Sequence, residues 1–436
     1  MAERIYRDPV HNIISLDQDS EQDRVLIALI DAPEFQRLRR IRQLGLALYT
    51  YQGAEHSRFV HSLGVMHLMN RVLTLLSNHH DIDDEVKLVA RCAALLHDIG
   101  HGPFSHVIEP LLGCRHEVWS VKIISDPKTH IHRILSEADA ELPENVVAVI
   151  EHRYTPRFVT QLVSSQLDVD RFDYLLRDSL MTGAKYGYFD MEWILHALEF
   201  DPQQDYICIS AKGLYAVEEY LQARYYMFRQ VYFHRHLRTA TVLLKNIFRR
   251  AIELNDEGRL QFNFPDSAMG KLLRKQPLMT DEYLQLDDHD LMFFIKQWAS
   301  EPDLILRDLA SRFLNRRIFK SIDLTVTGAL KQEFIERARL ITKQAGYDPD
   351  YYVDEDRASD VPYLAPYSPQ EASPESHICI ALDEQLTEIT QVSPLVAGMR
   401  RFHLNRLCFP EEVSEAVTNL ARQAPFAEVV SSTLSI

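Results

Sequence analysis

A chain of 436 residues, 46% of them hydrophobic, exceeds the usual size of one domain and predicts a large core with a smaller attachment. Its 47 basic and 63 acidic residues give a formal net charge of -16, which opposes loose electrostatic binding to nucleic acid or anionic membranes. The five cysteines have no C-x-x-C spacing, and no signal sequence or membrane-spanning run is visible, so we expect a protein of the reducing cytoplasm.

Helical periodicity dominates the first two-thirds of the chain. Asp31 followed by Glu34 has the spacing of a capping box, so we expect one helix to end and a second to begin there, with Gly45 ending the second. A later apolar run carries only Lys87 and Arg91 as charges and predicts a buried core helix, which the glycines that follow it would break. The helical patterns cover 23–45, 61–76, 86–96, 156–180 and 214–254.

The pattern changes near Arg317, where short apolar runs replace helical spacing. FKSIDLTV and HICIAL are typical of strands, and the polar stretch DEDRASDVPYLAPYSPQEASPES between them predicts a loop. We therefore expect a mainly α fold, with a helical domain over residues 1–316 and a smaller mixed α/β lobe over residues 317–436.

The segment LLHDIGHGPFSH, residues 95–106, places a carboxylate and three histidines at the end of the apolar helix. Burying such groups is costly unless something compensates. A divalent metal compensates, and imidazole nitrogen with carboxylate oxygen suits Mn, Fe, Zn or Mg with open positions for water and phosphate. The alternative is a hydrogen-bonded helix end with stray histidines, which so dense a cluster disfavours. We therefore expect His97 and Asp98 to bind a metal.

Two further ligands are expected from segments on either side of this cluster. His61 opens a predicted helix; alone it would be an ordinary helix-start histidine, and only the dense cluster makes it a candidate. In LDVDRFDYLLRD, Asp170, Tyr174 and Asp178 recur every four residues and so share one helix face, with Asp170 as the expected fourth ligand. The alternative for this segment is a solvated acidic face, made of Asp168, Asp173 and Asp178.

His61, the pair His97-Asp98 and the distant Asp170 resemble the H…HD…D signature of the HD superfamily of metal phosphohydrolases. The longer phrases EHSRFVHSLGV, LLHDIGHGPFSH, HE at 116–117 and LDVDRFDYLLRD resemble one branch, the deoxynucleoside triphosphate triphosphohydrolases, which include the SAM-and-HD-domain enzyme and its bacterial relatives. The resemblance is clear from about Arg4 to His236 and fainter beyond. It implies an HD-domain helical core that splits a dNTP into deoxynucleoside and inorganic triphosphate by attack at the α-phosphorus. One divalent metal per active site is implied, and additional Mg with the nucleotide is allowed.

The resemblance also implies catalytic roles for residues beyond the four metal ligands. His106, with Glu109 three residues on to orient it, would protonate the departing 5′-oxygen. His101 and His116 would line the phosphate path and help to order the attacking water.

Substrate contacts follow from the same resemblance. Phosphate contacts are implied for Arg58, Arg171 and Arg224. Sugar-side contacts are implied for Gln43, Leu44, Tyr174 and Asp178, with packing or capping as the alternative for the first two. Tyr232 would crowd the sugar 2′ position. Phe228 departs from the family pattern, which has a histidine there, and this puts details of the α-phosphate contact in doubt.

A regulatory site is the last implication of the resemblance. Asp31, Gln36 and Arg39 match positions that read a guanine edge, and Arg4 matches a phosphate contact. The resemblance thus implies a dGTP or GTP effector and a homo-oligomer, a tetramer, with the C-terminal lobe serving oligomerisation or regulation. The alternative is that Asp31 only caps a helix and Arg39 only faces solvent.

Two other classes of function remain open. The metal site alone does not choose among phosphate esters, so a 5′-nucleotidase, cyclic-nucleotide phosphodiesterase or alarmone hydrolase is one alternative. A nucleotide-sensing scaffold or single-strand nucleic-acid binder is the other, and its basis is the basic run Arg37, Arg39, Arg40 and Arg42. The net charge of -16 argues against broad nucleic-acid binding.

Overall fold

The computed structural model describes residues 2–105, 109, 113, 115–325, 327–360, 363, 377–383 and 385–429. Helices predominate in this part of the chain, where short strands form three small sheets. The predicted mainly α fold is therefore confirmed.

The first sheet is an N-terminal hairpin that the helical patterns did not predict. It pairs β1 (Glu3–Asp8) with β2 (Asn12–Asp17) in antiparallel register, with Asp8 opposite Asn12. Ile14 and Leu16 of β2 are buried in the main hydrophobic core. The hairpin is therefore anchored on the helical core by its second strand.

The other two sheets combine distant segments. One contains, in spatial order, β3 (Leu198–Asp201), β4 (Tyr206–Ser210), β7 (Cys379–Leu382) and β8 (Gln385–Glu388). Its central pair, β4 and β7, is parallel, and the outer pairs are antiparallel. The antiparallel third sheet contains β5 (Lys320–Asp323), β9 (Phe402–Phe409) and β6 (Asp354–Asp360), with β9 in the centre.

The helices follow one another closely along the chain. Those around the site are α1 (Glu21–Asp31), α2 (Pro33–Gln36), α3 (Arg58–Ser77), α4 (Asp84–Leu96), α5 (His116–Ser125), α6 (His130–Ala138), α7 (Leu142–Ile150), α8 (Arg157–Val163), α9 (Val169–Thr182), α10 (Met191–Ala197), α11 (Leu214–Met227) and α12 (Arg235–Asp256). Those that follow are α13 (Ala268–Leu273), α14 (Thr280–Tyr283), α15 (Asp288–Trp298), α16 (Leu304–Leu314), α17 (Ala329–Gln344), α18 (Pro349–Tyr352), α19 (Ile389–Val392), α20 (Pro394–Ala397) and α21 (Ser414–Arg422).

α3 and α4 pack against each other in the middle of the core. Every residue of α4 from Val89 to Leu96 is buried, which confirms the predicted core helix. α3 is long and apolar enough to cross a membrane by length and composition, but 67% of its apolar stretch is buried inside the protein. Its burial is that of a core helix, and it also packs against α9.

The predicted capping box of Asp31 with Glu34 is wrong. α2 begins at Pro33, after Ala32, and no side chain caps it. Proline suits the first helical position because its φ is already helical and it has no N–H to satisfy there. Asp31, the last residue of α1, pairs with Arg4 of the hairpin.

Three predicted helical stretches are shorter or interrupted. The second helix ends well before Gly45 and continues only as a 3-10 turn over Arg37–Arg40. The 156–180 pattern splits into α8 and α9, because Asp168 takes an extended conformation and caps α9 by accepting from the Arg171 amide. The 214–254 pattern splits at a π turn, Phe228–Tyr232. Such turns shift the helical register and often accompany functional sites.

The C-terminal strands confirm FKSIDLTV and HICIAL as β5 and β7. The predicted loop between them is wrong at its start, because DEDRASD forms β6 and pairs with β9 over its whole length. Acidic side chains of β6 form ion pairs with other elements: Asp356 pairs with Arg238, and Glu355 pairs with Lys331. Most of the remaining stretch lies outside the described residues.

The boundary between the predicted helical domain and the predicted lobe stays a prediction. β7 lies beyond residue 317 but pairs with β4, which precedes it. A second hydrophobic cluster lies entirely within residues 324–429, separate from the main core. The lobe therefore has a core of its own and also shares a sheet with the helical part.

Candidate metal and catalytic site

Helices α3, α4 and α9 bring the four predicted metal ligands together. His61 lies in the first turn of α3, His97 and Asp98 follow α4, and Asp170 lies in the first turn of α9. His61 Nε2 is 3.0 Å and His97 Nε2 is 3.7 Å from Asp170 Oδ1. Asp98 adds Oδ2, 3.7 Å from His61 Nε2, and Oδ1, 3.5 Å from His97 Nε2. We refer to His61, His97, Asp98 and Asp170 as the metal group.

Both histidines of the metal group direct Nε2 toward its centre. His61 Nδ1 donates to Asp173 Oδ2 over 2.8 Å, and His97 Nδ1 donates to the Ala94 carbonyl over 2.8 Å. With Nδ1 protonated, each Nε2 keeps a lone pair for a metal. Both Nε2 atoms are buried, and among the described residues neither finds a well-directed hydrogen bond. Because such isolation is costly, the residues fit a divalent ion.

In the absence of a metal, protons take its place. Burial lowers the pKa of His61, but the nearby carboxylates of Asp170 and Asp173 outweigh it and raise the pKa to about 10. For His97 too, burial acts downward, and Asp98 and Asp170 outweigh it, so its pKa is raised. Metal and protons therefore compete for the same two nitrogens.

The two carboxylates of the metal group, Asp98 and Asp170, stay ionised because neighbouring cations and imidazoles lower the pKa of each. Burial by itself raises the pKa of Asp98, but the charges of Arg58, His97 and His101 hold it well below its ordinary value. The Arg58 guanidinium contacts Asp98 directly, and its Nε donates to Ser105 Oγ over 3.0 Å. Arg58 is itself buried, so the structure places this predicted phosphate contact directly beside the metal group.

Asp98 also belongs to a second cluster, with His101 and His116, whose ligand atoms could hold a metal ion. His101 Nε2 lies 3.2 Å from Asp98 Oδ1, and the rings of His101 and His116 stack with centroids 3.7 Å apart. Glu109 Oε1 accepts from His116 Nδ1 over 2.8 Å. The predicted partner of Glu109, His106, lies outside the described residues, so that pairing stays a prediction. The cluster extends the metal group with imidazoles that can orient water or carry a proton.

The loop after Asp98 is held against α5 and α14. The Gly100 amide donates to Ser120 Oγ over 3.0 Å, and the Tyr283 hydroxyl donates to the Gly100 carbonyl over 2.6 Å. A Cβ on Gly100 would lie 2.2 Å from the His116 carbonyl oxygen, closer than real Cβ contacts come. Only glycine therefore lets this loop lie against the helix that carries His116.

Arg171 lies in the first turn of α9, and Arg224 of α11 contacts the segment just before α9. Arg171 follows Asp170 directly and pairs with Asp168, and Arg224 NH1 donates to Gln166 Oε1 over 2.7 Å. The Nε atoms of both arginines are buried and have no hydrogen-bond partner within the described part of the chain. Two cations therefore lie near the N-terminal end of α9, and their role as phosphate contacts stays a prediction.

The sugar-side residues lie further along α9. The Tyr232 hydroxyl donates to Asp178 Oδ2 over 2.8 Å, and His56 Nε2 lies 2.8 Å from Asp178 Oδ1. The rings of Tyr174 and Tyr232 meet edge to face with centroids 6.2 Å apart. α9 therefore carries Asp170, Tyr174 and Asp178 in a row that leads from the metal group to Tyr232.

Gln43, Leu44 and Phe228 are half-buried, and the Gln43 amide donates to the carbonyl of His56, which pairs with Asp178 of this row. Gln43 Oε1 is buried and finds no partner among the residues that the structure describes. The Phe228 ring lies 5.0 Å from the Tyr232 ring, and the Arg224 guanidinium lies 5.8 Å above it. An aromatic ring thus stands between a predicted phosphate contact and a predicted sugar contact.

The alternative interpretation of α9 as a solvated acidic face is wrong. Asp168, Asp173 and Asp178 are each at most 1% exposed. Asp168 caps α9 and pairs with Arg171, while Asp173 pairs with Arg177 of the same helix. Burial is tolerated because each carboxylate has cations or hydrogen-bond donors around it.

The four residues predicted to bind an effector lie together near the hairpin. Arg4 forms a two-pronged pair with Asp31, over 2.5 and 2.6 Å, and both side chains are exposed. Arg39 Nε donates to Gln36 Oε1 over 2.8 Å, and its guanidinium lies 3.5 Å above the Phe59 ring. We refer to Arg4, Asp31, Gln36 and Arg39 as the effector group.

Comparison with known proteins identifies the family. The HD domain matches residues 58–178, and the HD associated region matches residues 189–266. The uncharacterized protein YwfO of Bacillus subtilis is 37% identical over 417 residues, which are 94% of this chain and 93% of that protein. The chain belongs to the HD-domain family.

Two further relatives give this HD-domain protein its chemical context. Human deoxynucleoside triphosphate triphosphohydrolase SAMHD1 is 27% identical over 446 residues, covering 90% of this chain and 68% of that protein. The crystal structure of a phosphohydrolase from Bacteroides thetaiotaomicron superposes with a TM-score of 0.80 at 31% identity, covering 94% of this chain and 100% of that one. The HD-domain protein described here is therefore a metal-dependent phosphohydrolase of the dNTPase-related branch.

The residues that hold this HD phosphohydrolase's site residues in place were not predicted from the sequence. His56, which pairs with Asp178, stands unremarked in the phrase EHSRF. Asp173 and Arg177 were hidden in the acidic pattern of α9. Asp8, which pairs with Arg177, lies in the turn-like phrase DPVH near the N-terminus. The histidine of that phrase, His11, was the signal that could have pointed to a site residue there.

Proposed function

We propose that this HD phosphohydrolase splits deoxynucleoside triphosphates into deoxynucleoside and inorganic triphosphate. The row of Asp170, Tyr174 and Asp178 on α9 carries the proposal, because it joins the metal group to Tyr232. Cationic side chains gather at the metal end, and aromatic rings gather at the other. A deoxynucleotide has the same order, with a charged triphosphate at one end and an apolar C2′ edge beyond it.

The cations near the metal group suit a triphosphate. A divalent ion, Mn, Fe, Mg or Zn, would supply Lewis acidity at the phosphate and lower the pKa of the attacking water. Two neutral imidazoles and two carboxylates leave such a site close to neutral, so the triphosphate needs further positive charge. Arg58, Arg171 and Arg224 supply it from three different elements, and additional Mg can accompany the nucleotide.

The second cluster suits the proton transfers. Glu109 fixes the ring of His116, which stacks on His101 beside Asp98. A histidine fixed in this way can order the attacking water or hold a proton near the departing 5′-oxygen. His106 keeps its predicted role as the acid, with Glu109 as the residue that orients it.

Tyr232 supports discrimination between deoxyribose and ribose. Its hydroxyl is fixed by Asp178, and Asp178 is fixed in turn by His56. Because its hydroxyl is fixed, the Tyr232 ring cannot easily move aside for a larger sugar. A 2′-hydroxyl would therefore meet a steric cost. Gln43, Leu44 and Tyr174 complete the proposed sugar side.

The experiment is to incubate purified protein with each of the four dNTPs and Mn or Mg, and to resolve the phosphorus products by NMR in 18O-labelled water. The expected product is intact triphosphate that carries the label on its former α-phosphorus, because the proposed attack of water there breaks the bond to the 5′-oxygen. Release of labelled orthophosphate would replace the proposal with a simpler phosphatase or nucleotidase activity.

We further infer that a guanine nucleotide, dGTP or GTP, binds the effector group and activates a homotetramer. The support is that Arg4 pairs with Asp31 and Arg39 pairs with Gln36 near the hairpin, with Asp31 and Arg39 exposed. An aspartate can accept from the N1 and N2 donors of guanine, and an arginine can donate to its O6 and N7. A regulatory role for the C-terminal lobe and a cytoplasmic location belong to the same proposal.

A further inference from the structure

The N-terminal hairpin reaches the metal group through a chain of buried ion pairs. Asp8, the last residue of β1, accepts from Arg177 NH1 over 2.8 Å. Arg177 Nε and NH2 donate to the two oxygens of Asp173, each over 2.8 Å. Asp173 in turn accepts from Nδ1 of the metal-group residue His61 over 2.8 Å. None of these four side chains is more than 3% exposed, so water does not screen the contacts.

Asp173 is saturated with hydrogen-bond donors. Its Oδ1 accepts from Arg177 NH2 over 2.8 Å and from His11 Nε2 over 2.7 Å. Its Oδ2 accepts from Arg177 Nε and from His61 Nδ1, each over 2.8 Å. A carboxylate offers about four lone-pair positions, and four donors occupy them here. The orientation of Asp173 is therefore fixed on every side, and each donor shares in fixing it.

The hairpin turn supplies two of the contacts in this network. Asp8 Oδ1 accepts from the amides of Val10 and His11, over 2.8 and 2.9 Å, while its other oxygen holds Arg177. One carboxylate thus shapes the turn and anchors the arginine. The turn also delivers the His11 ring, which is 2% exposed, to Asp173.

Gly64 lets α3 approach this network. A Cβ there would lie 1.9 Å from Asp173 Oδ1 and 2.6 Å from Arg177 NH2. Such distances exclude any side chain, so α3, which carries His61, lies directly on the charged pair. The network therefore forms part of the surface against which α3 packs.

We propose that Asp8 and His11 of the hairpin are positioning residues of the metal centre. Together with Arg177 they fix Asp173, and Asp173 fixes the His61 ring so that Nε2 faces the metal group. This inference rests on the proposed function in one respect, because it takes His61 to be a metal ligand. Carboxylates that orient a ligating histidine change metal affinity by about 10- to 100-fold when they are removed, and their own anchors act through them.

The test compares metal affinity among variants along the network. Dissociation constants for Zn²⁺ and Mn²⁺ are measured by chelator competition on the metal-free full chain, without nucleotide. Asp173→Asn is expected to bind about 10- to 100-fold more weakly than wild type. His11→Gln and Asp8→Asn, which leave the Asp173 carboxylate in place, are expected to bind roughly threefold to tenfold more weakly. Electron paramagnetic resonance of bound Mn²⁺ is expected to change in the same variants.

A matched control separates positioning from general stability. Arg312 is 2% exposed, pairs with Asp308 at the same i,i+4 spacing over 2.6 Å, and lies in α16 with Glu412 as a second partner. Arg312→Lys is expected to lower the melting temperature of the metal-free protein, as Arg177→Lys does. Only Arg177→Lys is expected to weaken metal binding.

Two outcomes would overturn the inference, and a third would overturn the metal group on which it rests. Unchanged metal affinity in both His11→Gln and Asp8→Asn would overturn it and leave the hairpin a purely structural element. Equal losses of affinity in Arg312→Lys and Arg177→Lys would overturn it as well. A wild-type protein that binds neither ion would instead overturn the metal group of the proposed function. Should Asp173→Asn not fold, His11→Gln, which leaves the pair of Arg177 and Asp173 intact, gives the decisive measurement.

Discussion

The metal group and the effector group both contain charged pairs, but in opposite surroundings. The side chains of His61 and Asp98 are 1% and 7% exposed, whereas those of Arg4 and Asp31 are 35% and 48% exposed. Breaking a buried charged pair costs about 3–5 kcal/mol, whereas an exposed pair contributes about 0–1 kcal/mol. The buried group therefore depends on every neighbour, and the exposed group can exchange its partners for a ligand at small cost.

The largest effect is expected from removing a ligand of the buried group. His97→Ala takes away one of the two imidazole nitrogens that the metal group offers. We expect bound metal to fall close to zero and hydrolysis to fall by at least about 1,000-fold, because several kcal/mol of charge stabilisation is lost. Elemental analysis and turnover measure the two losses.

His289→Ala is a suitable control for this prediction, because the His289 side chain is 73% exposed. It should keep both metal and activity. Full metal content with wild-type turnover in His97→Ala would contradict the assignment of His97 as a ligand, and Asp98→Ala repeats the test on the carboxylate of the pair.

The second prediction concerns pH. Because the pKa of His61 is raised to about 10 without metal, its proton stabilises the metal-free fold fully below the ordinary histidine pKa. This stabilisation is lost as pH rises toward about 10, while a metal must displace the same proton. Metal affinity should therefore rise with pH, by about tenfold per unit for each proton displaced.

Calorimetry in two buffers of different ionisation enthalpy measures the protons released on metal binding at each pH. Melting of the metal-free protein over the same range measures the opposite trend in stability. Affinity that stays constant from pH 6.5 to pH 9, with no proton release, would show that the histidines are already neutral in the metal-free protein.

An intermediate effect is expected at Tyr232, whose half-buried side chain is intermediate in burial between the metal group and the effector group. Tyr232→Ala should raise GTP turnover relative to dGTP by about tenfold or more, because the ring that crowds C2′ is gone. Tyr232→Phe keeps the ring and loses only the hydrogen bond to Asp178, so it should keep most of the preference. Tyr215→Ala, at a residue that is 78% exposed, is the control. An unchanged preference in Tyr232→Ala would return Tyr232 to a packing role.

The smallest effect on stability is expected in the effector group. Arg4→Ala and Asp31→Asn should change unfolding free energy by less than about 1 kcal/mol, because the pair is exposed. The same variants should abolish stimulation of dATP or dCTP hydrolysis by dGTP. Melting, turnover and sedimentation with and without dGTP measure this contrast. If dGTP leaves wild-type rate and mass unchanged, or if Asp31→Asn responds as wild type does, the effector site should be abandoned.

The exposed and buried groups also differ in how well sequence predicts them. His97, Asp98 and their glycine-rich loop are contiguous, so local spacing alone indicated a metal site. Asp170, Tyr174 and Asp178 were placed on one face because helical geometry is local. The effector group needed the family resemblance, since Arg4 lies 27 residues from its partner Asp31.

The sequence by itself determined the helical class, the core helix before His97 and the residues able to ligate a metal, because these follow from periodicity and residue chemistry over short spans. Only the tertiary structure decided that Asp173 is a buried anchor instead of a solvated acid, since its partners His11 and His61 lie 162 and 112 residues away. A carboxylate in a helix looks the same in either role until its donors are known. Long-range packing supplies those donors, and so it decides which charges are structural.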